Sequence, residues 1–122
     1  MVEIRRQKAE RAGRFAEHAA LWALRCKGYR LLAHRFKCPL GEVDLIMRRG
    51  EVTAFIEVKA RTTRKAAIES VTAFQARRIA AAAGQWMARD PRAARQACRF
   101  DIVAVSPYQW PHHIENAFYG DR

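Results

Sequence analysis

Two apolar stretches separated by a short polar turn constrain the fold of this chain most strongly. Residues 42–47 and 52–60 each have the length and the β-branched and aromatic or aliphatic content of a β-strand. Residues 48–51 lie between them and include Gly50, which gives the backbone the freedom for a tight turn. The pattern predicts a β-hairpin in the middle of the chain.

A helix and a strand are predicted before this hairpin. Residues 5–27 form the helix, because apolar side chains recur there at three- and four-residue steps, namely Phe15, Ala19, Trp22 and Cys26. Gly28 follows the last of them and is typical of a helix end. Residues 29–36 then have the composition of a strand, and residues 38–41 form a turn.

Another helix and strand are predicted after the hairpin. Residues 62–67 are basic and irregular, and residues 70–89 form a helix that Pro91 follows. Its predicted apolar face consists of Val71, Phe74, Ile79, Ala82 and Trp86. Residues 100–105 form a strand, and residues 114–118 either add an edge strand or pack against the domain.

This order of elements defines the expected fold class. A strand, a helix and another strand in succession favour a parallel crossover, whereas the hairpin is antiparallel. We therefore expect an α/β fold with a central mixed sheet flanked by helices. A chain of 122 residues has room for one core, so residues 1–122 are predicted to form a single domain.

The charge of the chain is its most unusual compositional property. The formal net charge is +11, and the first 100 residues hold 22 basic and 9 acidic side chains, a net charge of +13. The last 22 residues have a net charge of −2. A small domain this basic is expected to bind a polyanion such as nucleic acid. Ribosome-like or merely solubilising basicity is an alternative. Membrane binding through the basic first helix is a minor one, and no apolar run has transmembrane length.

The cysteines and the first residues indicate a compartment. Residues 1–14 are densely charged and lack the apolar segment of a secretory signal. Cys26, Cys38 and Cys98 are an odd number at wide spacing, with no CxxC pair. We therefore expect a reduced, cytoplasmic protein without a disulfide framework or a zinc site, and a buried Cys98 thiol.

Three charged side chains interrupt the apolar strands of the hairpin. Alternation along each strand places Asp44 on one face of the first, and Glu57 and Lys59 together on one face of the second. On neighbouring strands these three side chains would meet. Buried carboxylates are costly without a cation, and oxygen ligands of this kind suit Mg²⁺ or Mn²⁺. The alternative is a cross-strand salt bridge on a solvated face.

Two further acids have positions that allow two interpretations. Glu17 falls between Leu21 and Leu24 on a helical wheel, at the border of the apolar arc, so that it either reaches inward or is an ordinary surface glutamate. Asp101 lies inside an apolar strand, where it either has a function or holds Arg99.

The chain resembles a known family at several blocks. These are Gly13, Glu17 and Ala20, then Gly28 and Tyr29, and the segments GEVDLI (41–46), FIEVKAR (55–61) and RFDIV (99–103). They resemble the YraN family of small bacterial proteins. That family is similar to archaeal Holliday-junction resolvases within the PD-(D/E)xK nuclease superfamily. The resemblance runs from about Gly13 to Phe118 and implies a restriction-endonuclease-like fold.

The resemblance also implies a site. It assigns catalytic roles to Glu17, Asp44, Glu57 and Lys59, and ligation of Mg²⁺ or Mn²⁺ to Asp44, Glu57 and the backbone carbonyl of Val58. Glu17 matches the acid that resolvase-like members carry on the first helix. One position departs from the pattern, because Gln75 stands where many members have a lysine.

These observations predict a metal-dependent endonuclease-like protein that hydrolyses phosphodiesters in branched or structured DNA. Arg61, Arg64 and Lys65 follow the second hairpin strand and either grip flanking phosphates or are solvated loop charges. A resolvase needs two active sites, so the resemblance implies a homodimer. The alternatives are a nucleic-acid-binding module that keeps the nuclease fold without turnover, and a structural partner protein.

Overall fold

A computed structural model describes residues 2–92 and 96–118 of the chain. The elements in chain order are α1 (Val2–Cys26), β1 (Arg30–Cys38), β2 (Gly41–Arg49), β3 (Val52–Lys59), α2 (Arg64–Glu69), α3 (Ala73–Arg89), β4 (Ala97–Ala104) and β5 (His112–Ile114). None of the helices in these ranges is both long and apolar enough to cross a membrane.

The strands form one mixed sheet in the order β1-β2-β3-β4-β5. The first three strands pair antiparallel, β3 and β4 pair parallel, and β5 returns antiparallel to β4. The connection through α2 and α3 supplies the crossover that the parallel pair requires. The predicted α/β class, with a mixed sheet and flanking helices, is confirmed.

The central hairpin is the β2–β3 pair. Its paired residues run from Arg49↔Val52 at the turn to Leu45↔Ile56. Gly50 has a φ of +60°, the left-handed backbone that the turn needs and that glycine adopts without strain. The predicted hairpin and its turn are therefore confirmed.

Each face of the sheet has its own core. Ala54 and Ile56 of β3 pack with Leu24 of α1, whereas Phe55 between them packs on the opposite face with Ile79 of α3. A third cluster, built around Ile102 of β4, packs against α2. Successive β3 side chains thus point to opposite faces, as strand geometry requires.

Helix α1 buries a different face from the predicted one. Its aromatic side chains are largely exposed, Phe15 at 66% and Trp22 at 60%, and Cys26 is exposed as well. Among the α1 side chains that the structure describes, the buried ones are Ala16, Ala20, Ala23 and Leu24, and Ala19 of the predicted face packs half-buried against the same core. Small side chains let the helix backbone approach the sheet closely, which bulky aromatic rings in the same place would prevent.

Other details after β3 also differ from expectation. Residues 62–67, predicted as irregular, include the start of α2, whose N-cap Thr63 accepts a hydrogen bond from the Ala66 N–H at 3.1 Å. Phe74 is 62% exposed and lies outside the core. Cys98 is exposed rather than buried. The tail strand β5 lies at His112–Ile114, and of the two alternatives for 114–118 packing is confirmed, because Ala117 and Phe118 pack against the cluster around Ile102.

Candidate metal centre at the open end of the central hairpin

Followed from the turn, the pairing of β2 with β3 ends just before Asp44 and Glu57. The last paired residues are Leu45 and Ile56, so Asp44 and Glu57 are the next residues across from each other. Oδ2 of Asp44 accepts a hydrogen bond from the Val58 N–H at 2.8 Å. The carboxylate of Asp44 therefore takes a main-chain donor on β3, and the two strands part at this end of the hairpin.

The carboxyl groups of Asp44 and Glu57 meet in this opening. Burial, a hydrogen bond with Asp44 and the negative charge of Asp44 together raise the pKa of Glu57 to about 9, while the charge of Lys59 opposes the shift. Two carboxyl groups this close do not both ionise readily, so the pair holds a proton at neutral pH. The predicted meeting of Asp44 and Glu57 across the hairpin is confirmed in geometry.

Lys59 lies at the carboxyl end of β3, on the strand face that Glu57 occupies. It is half-buried, and its carbonyl oxygen accepts a hydrogen bond from the Val105 N–H at 2.8 Å. This bond fixes the end of β3 against the residue that follows β4. The ammonium group is thus carried on a well-held backbone beside the two acids.

Glu17 reaches toward the same end of the hairpin from α1. Its side chain is 13% exposed and lines a cavity of about 210 Å³ with Asp44, Glu42 and Arg35. Its oxygens accept hydrogen bonds from Nε2 of His34 at 2.7 Å and from Nε of Arg35 at 2.8 Å. Burial would raise the pKa of Glu17, but Arg35 and His34 outweigh it and lower that pKa. Glu17 therefore points inward as an ionised carboxylate that is already paired.

Arg35 and His34 of β1 are site residues that sequence reasoning missed. Arg35 has a φ of +53°, which is uncommon for a residue other than glycine and lies within a strand. Residues in such conformations cluster at functional sites, where the surrounding structure holds them. No spacing in the sequence signals this backbone conformation, so a pattern search could not have found the contact with Glu17.

A second cavity, of about 560 Å³, lies on the α3 side of Glu57. Gln75 and Arg78 of α3 line it. Oε1 of Gln75 accepts a hydrogen bond from the Thr72 N–H, and the Gln75 N–H donates to Oγ1 of Thr72, both at 3.1 Å. This reciprocal pair is a capping box at the start of α3, which explains a glutamine at this position. Arg78 supplies the cation in this cavity, and the apolar periodicity of α3 gave no reason to select it.

Gly41 brings β2 close to α3 beside this cavity. A β-carbon at Gly41 would collide with the carbonyl oxygen of Arg78, so a larger residue would push the strand away from the helix. The first residue of the GEVDLI segment thus has a packing reason to be glycine.

The three predicted phosphate-binding residues lie beyond Lys59. Arg61, Arg64 and Lys65 are all exposed. The Arg61 guanidinium donates to the carbonyl oxygen of Ala60 at 2.9 Å, and Nζ of Lys65 lies 4.0 Å from a carboxylate oxygen of Glu69. Exposed ion pairs at this distance are weak, so these side chains remain available to a ligand. Their predicted role stays a prediction.

Asp101 belongs to a different kind of cluster. It is completely buried and accepts hydrogen bonds from Arg99 at 2.8 Å, from Nε2 of His113 at 2.7 Å and from the Asn116 N–H at 2.9 Å. Burial would raise its pKa, but these donors outweigh it and lower the pKa of Asp101. Of the two interpretations of Asp101, the structure supports the one in which it holds Arg99.

The donor set at the hairpin opening fits a hard divalent cation. Within residues 2–92 and 96–118, no three His, Cys, Asp or Glu side chains form a metal-binding group. The oxygen donors at the opening are the carboxylates of Asp44 and Glu57, to which the resemblance adds the carbonyl of Val58. Mg²⁺ commonly binds through one or two carboxylates and keeps several waters. When both carboxyl groups are ionised the pair has a second negative charge, which a cation bound there would compensate.

Fold and site together define an α/β domain consistent with a nuclease-like fold, with two acids and a lysine at the open end of its central hairpin. The family model described as "Uncharacterised protein family UPF0102" matches residues 16–105, and the chain belongs to this family. This confirms the predicted YraN-family membership. The matched range contains Glu17, Asp44, Glu57 and Lys59.

Curated relatives cover nearly the whole chain. A UPF0102 protein of Chelativorans sp. (strain BNC1) is 54% identical over 117 residues, which is 96% of this chain and 94% of the relative. Another, from Mesorhizobium japonicum, is 50% identical over 94% of this chain and 92% of its own length. A third, from Rhizobium meliloti (strain 1021), is 44% identical over 95% of each.

Proposed function

We propose that this protein is a metal-dependent endonuclease that hydrolyses phosphodiesters in branched or structured DNA, in the cytoplasm. The observation that carries the proposal is the meeting of the Asp44 and Glu57 carboxyl groups beside Lys59, where the central ladder opens. These acids belong to a chain with a net charge of +11. Two acids would repel a phosphate that the basic surface attracts, unless a divalent cation lay between them.

Each residue of the opening has a role in this proposal. Asp44, Glu57 and the carbonyl of Val58 would hold Mg²⁺ or Mn²⁺. A bound ion of this kind neutralises charge on phosphoryl oxygens and lowers the pKa of a water molecule. Lys59 would position the attacking water or offset the negative charge that develops on the phosphate. Glu17, held by Arg35 and His34, would orient water on the α1 side of the opening.

Basic residues surround the opening and would hold the DNA backbone. Arg61, Arg64 and Lys65 lie beyond the end of β3, and Arg78 and Arg35 line the two cavities. Contacts of this kind are salt-dependent because neutralised phosphates release counterions. They fix the position of the DNA and leave base sequence unread.

A nucleic-acid-binding module without turnover is the second candidate. The observation that favours it is that the carboxylate of Glu17 is already paired with Arg35 and His34. Titration calorimetry with Mg²⁺ and Mn²⁺ separates the two candidates. DNA binding without metal binding would favour the module.

The test of the endonuclease proposal is a panel of linear, flapped and four-way-junction DNAs incubated with Mg²⁺ or Mn²⁺. We expect cleavage of at least one branched DNA, and at least a ~100-fold lower rate for Asp44→Ala and Lys59→Ala, the size typical for loss of one group that stabilises transition-state charge. Asp44→Asn keeps an acceptor for the Val58 N–H and controls for misfolding.

The matched control for this panel is Glu51→Gln. Glu51 is an exposed acid at the turn end of the same hairpin, so its loss changes the net charge as Asp44→Ala does and leaves the opening intact. Identical cleavage by the wild-type protein and Lys59→Ala would overturn the proposal, because a contaminating nuclease would then explain the activity.

A further inference from the structure

We propose that a groove on the outer side of α1 binds unpaired nucleotides of a DNA strand by stacking their bases on aromatic side chains. This aromatic groove is defined by Phe15, Ala19, Val105, Tyr108, Trp110 and Pro111. The proposal rests on the proposed function in one respect, that the ligand of this protein is a nucleic acid. It adds a second binding site and a substrate feature that the metal centre does not provide.

Exposed aromatic rings cluster at this groove. Tyr108 is fully exposed, and Trp110 and Phe15 are 69% and 66% exposed. Single exposed apolar residues are ordinary, whereas a cluster of them marks an interaction surface. Tyr108 has a φ of +65°, an uncommon backbone conformation for a bulky residue. The 106–111 loop thus presents two rings beside the ring of Phe15.

The groove is continuous with a second hollow. The first hollow has a volume of about 250 Å³ and the second about 490 Å³, and both are lined by Gln109, Trp110 and Pro111. The second hollow continues to Lys27, His112 and His113. Oγ of Ser106 donates to Oε1 of Gln109 at 3.0 Å and helps to shape the loop between them. The two hollows thus form one continuous surface along the 109–111 segment.

The groove begins beside the carboxyl ends of β3 and β4, the end of the sheet at which the candidate metal centre lies. Val105 lines the groove, and its N–H donates to the carbonyl oxygen of Lys59 at 2.8 Å. Phe15 lies two residues before Glu17, which places it about 160° around α1 from Glu17 at 100° per residue. The groove is therefore separate from the metal centre but starts next to its lysine. A strand leaving the centre past Val105 would enter it directly.

Charge selects the occupant. None of the described residues that line either hollow is acidic, and the cation in the second hollow is Lys27, whose Nζ lies 2.6 Å from Nδ1 of His113. Arg14 and Arg25 are exposed on α1, and the Arg25 guanidinium lies 5.1 Å from the ring centroid of Trp22. Exposed rings that continue to a lysine, without a lining acid among the described residues, match a single strand, in which flat bases alternate with phosphates. Paired bases in a duplex hide those faces, so the groove would favour an unpaired arm.

The experiment measures binding without cleavage. Fluorescence anisotropy in EDTA would compare a blunt duplex, the same duplex with an unpaired 3′ or 5′ arm of ~10 nucleotides, a site size within the range of known single-strand binders, and the free single strand. We expect the armed duplex to bind the wild-type protein at least ~5-fold more tightly than the blunt duplex. Tyr108→Ala and Trp110→Ala should each weaken binding of the armed duplex about tenfold, the effect of losing one stacked base.

Matched variants separate stacking from general damage. Trp110→Phe keeps a flat ring and should restore most of the affinity that Trp110→Ala loses. Ile4→Ala removes an exposed apolar side chain of α1, about three turns before Phe15 and outside the groove. This variant should bind DNA like the wild-type protein. Blunt-duplex affinity should stay within about twofold for all of these variants, because phosphate contacts elsewhere supply it.

Three outcomes would overturn the proposal for the groove, and one would support it while refuting the endonuclease. Equal weakening of blunt and armed duplexes by Trp110→Ala would mean that the groove does not distinguish unpaired bases. A dimer that dissociates in sedimentation when Trp110→Ala is introduced, with unchanged DNA affinity, would show that a second copy covers the groove. Preference for the armed duplex without cleavage in Mg²⁺ would refute the endonuclease and leave the groove supported. Absence of any DNA binding would refute both.

Discussion

Asp101 and Glu57 are both acids within apolar strands of one sheet, yet their surroundings differ completely. Asp101 accepts hydrogen bonds from Arg99, His113 and a main-chain N–H, and its pKa is lowered although burial would raise it. Glu57 meets a second carboxyl group, Asp44, and its pKa rises to about 9. Burial is common to both acids, so the partners decide the difference.

That difference separates a structural acid from a candidate functional one. The chain itself supplies every cation and donor that Asp101 needs, so this acid joins β4 to the tail of the domain. Asp44 and Glu57 lack an equivalent set and hold a proton between them instead. An acid pair arranged in this way is stable as a fully ionised pair only with a cation from outside the chain.

Replacing Asp101, the structural acid, should cause the largest loss in the free energy of unfolding. Asp101→Asn leaves the shape of the side chain but removes the charge opposite Arg99, which is 18% exposed. Breaking a buried ion pair on one side typically costs about 3–5 kcal/mol, so we expect a loss of that size in the free energy of unfolding. Urea denaturation at pH 7 measures it.

Glu115→Gln is the control for this change. Glu115 is 46% exposed and lies 3.7 Å from Nη2 of the same arginine. Exposed pairs contribute roughly 0–1 kcal/mol, so this variant should unfold close to the wild-type midpoint. A loss as large as that of Asp101→Asn would mean that the charge of Arg99 is satisfied collectively, and that Asp101 has no special place.

The acid-to-amide change at Glu57 should have little effect on stability and a large effect on cleavage. Glu57→Gln replaces a carboxyl group that is already protonated at neutral pH, so we expect the free energy of unfolding to change by less than about 1 kcal/mol. Cleavage should fall by about 100-fold or more, and Mg²⁺ binding in calorimetry should be lost, because an amide is a poor substitute for a carboxylate ligand. A Glu57→Gln variant that is strongly destabilised and still cleaves DNA would contradict this prediction, because Glu57 would then be the structural acid.

Sequence periodicity predicted much of this site because it depends on local geometry. Alternation along the two hairpin strands is sufficient to place Asp44, Glu57 and Lys59 together, and Gly50 marks the turn that pairs those strands. The strand–helix–strand order then predicts the parallel partner of β3. These inferences use either neighbours within one hairpin or the order of successive elements along the chain.

The predictions that failed concern packing between distant elements. Hydrophobicity favoured Phe15 and Trp22 for the core, but the contact between α1 and the sheet selects alanines, which the periodicity of bulky residues does not reveal. Asp101 holds Arg99 as one interpretation predicted, but its further partners, His113 of β5 and the Asn116 N–H, lie 12 and 15 residues later in the chain and were not predicted. Such contacts follow from the path of the tail, and no local pattern encodes that path.

Low pH should reduce the contribution of Asp101. Its pKa is lowered on folding, so its stabilising effect is complete above the unfolded value near 3.8 and is lost as the pH falls through the lower folded value. The difference in unfolding free energy between the wild-type protein and Asp101→Asn should therefore be constant from pH 7 to 5 and narrow below about 3.8. A urea series across this range measures it, and a difference that widens in acid would contradict the assignment.

Glu17 is intermediate between Asp101 and Glu57. Substitution of its partner Arg35 should give the smallest change in the free energy of unfolding. Its carboxylate is paired, as that of Asp101 is, but the cation is the 44%-exposed Arg35. Exposed pairs of this kind contribute roughly 0–1 kcal/mol, so Arg35→Gly should unfold within about 1 kcal/mol of the wild-type protein.

A comparison of two variants isolates the backbone of Arg35 from its charge. Arg35→Gly and Arg35→Ala both remove the guanidinium, but only glycine adopts a φ of +53° without strain, so the glycine variant should be about 1 kcal/mol more stable than the alanine variant. Thermal unfolding of the pair measures the difference. Equal stability would show that the strand relaxes at this residue. A loss of several kcal/mol in both would place Glu17 with Asp101 among the structural acids. The expected small loss would instead leave Glu17 held by a strained, solvent-facing residue that a bound phosphate could draw away from it.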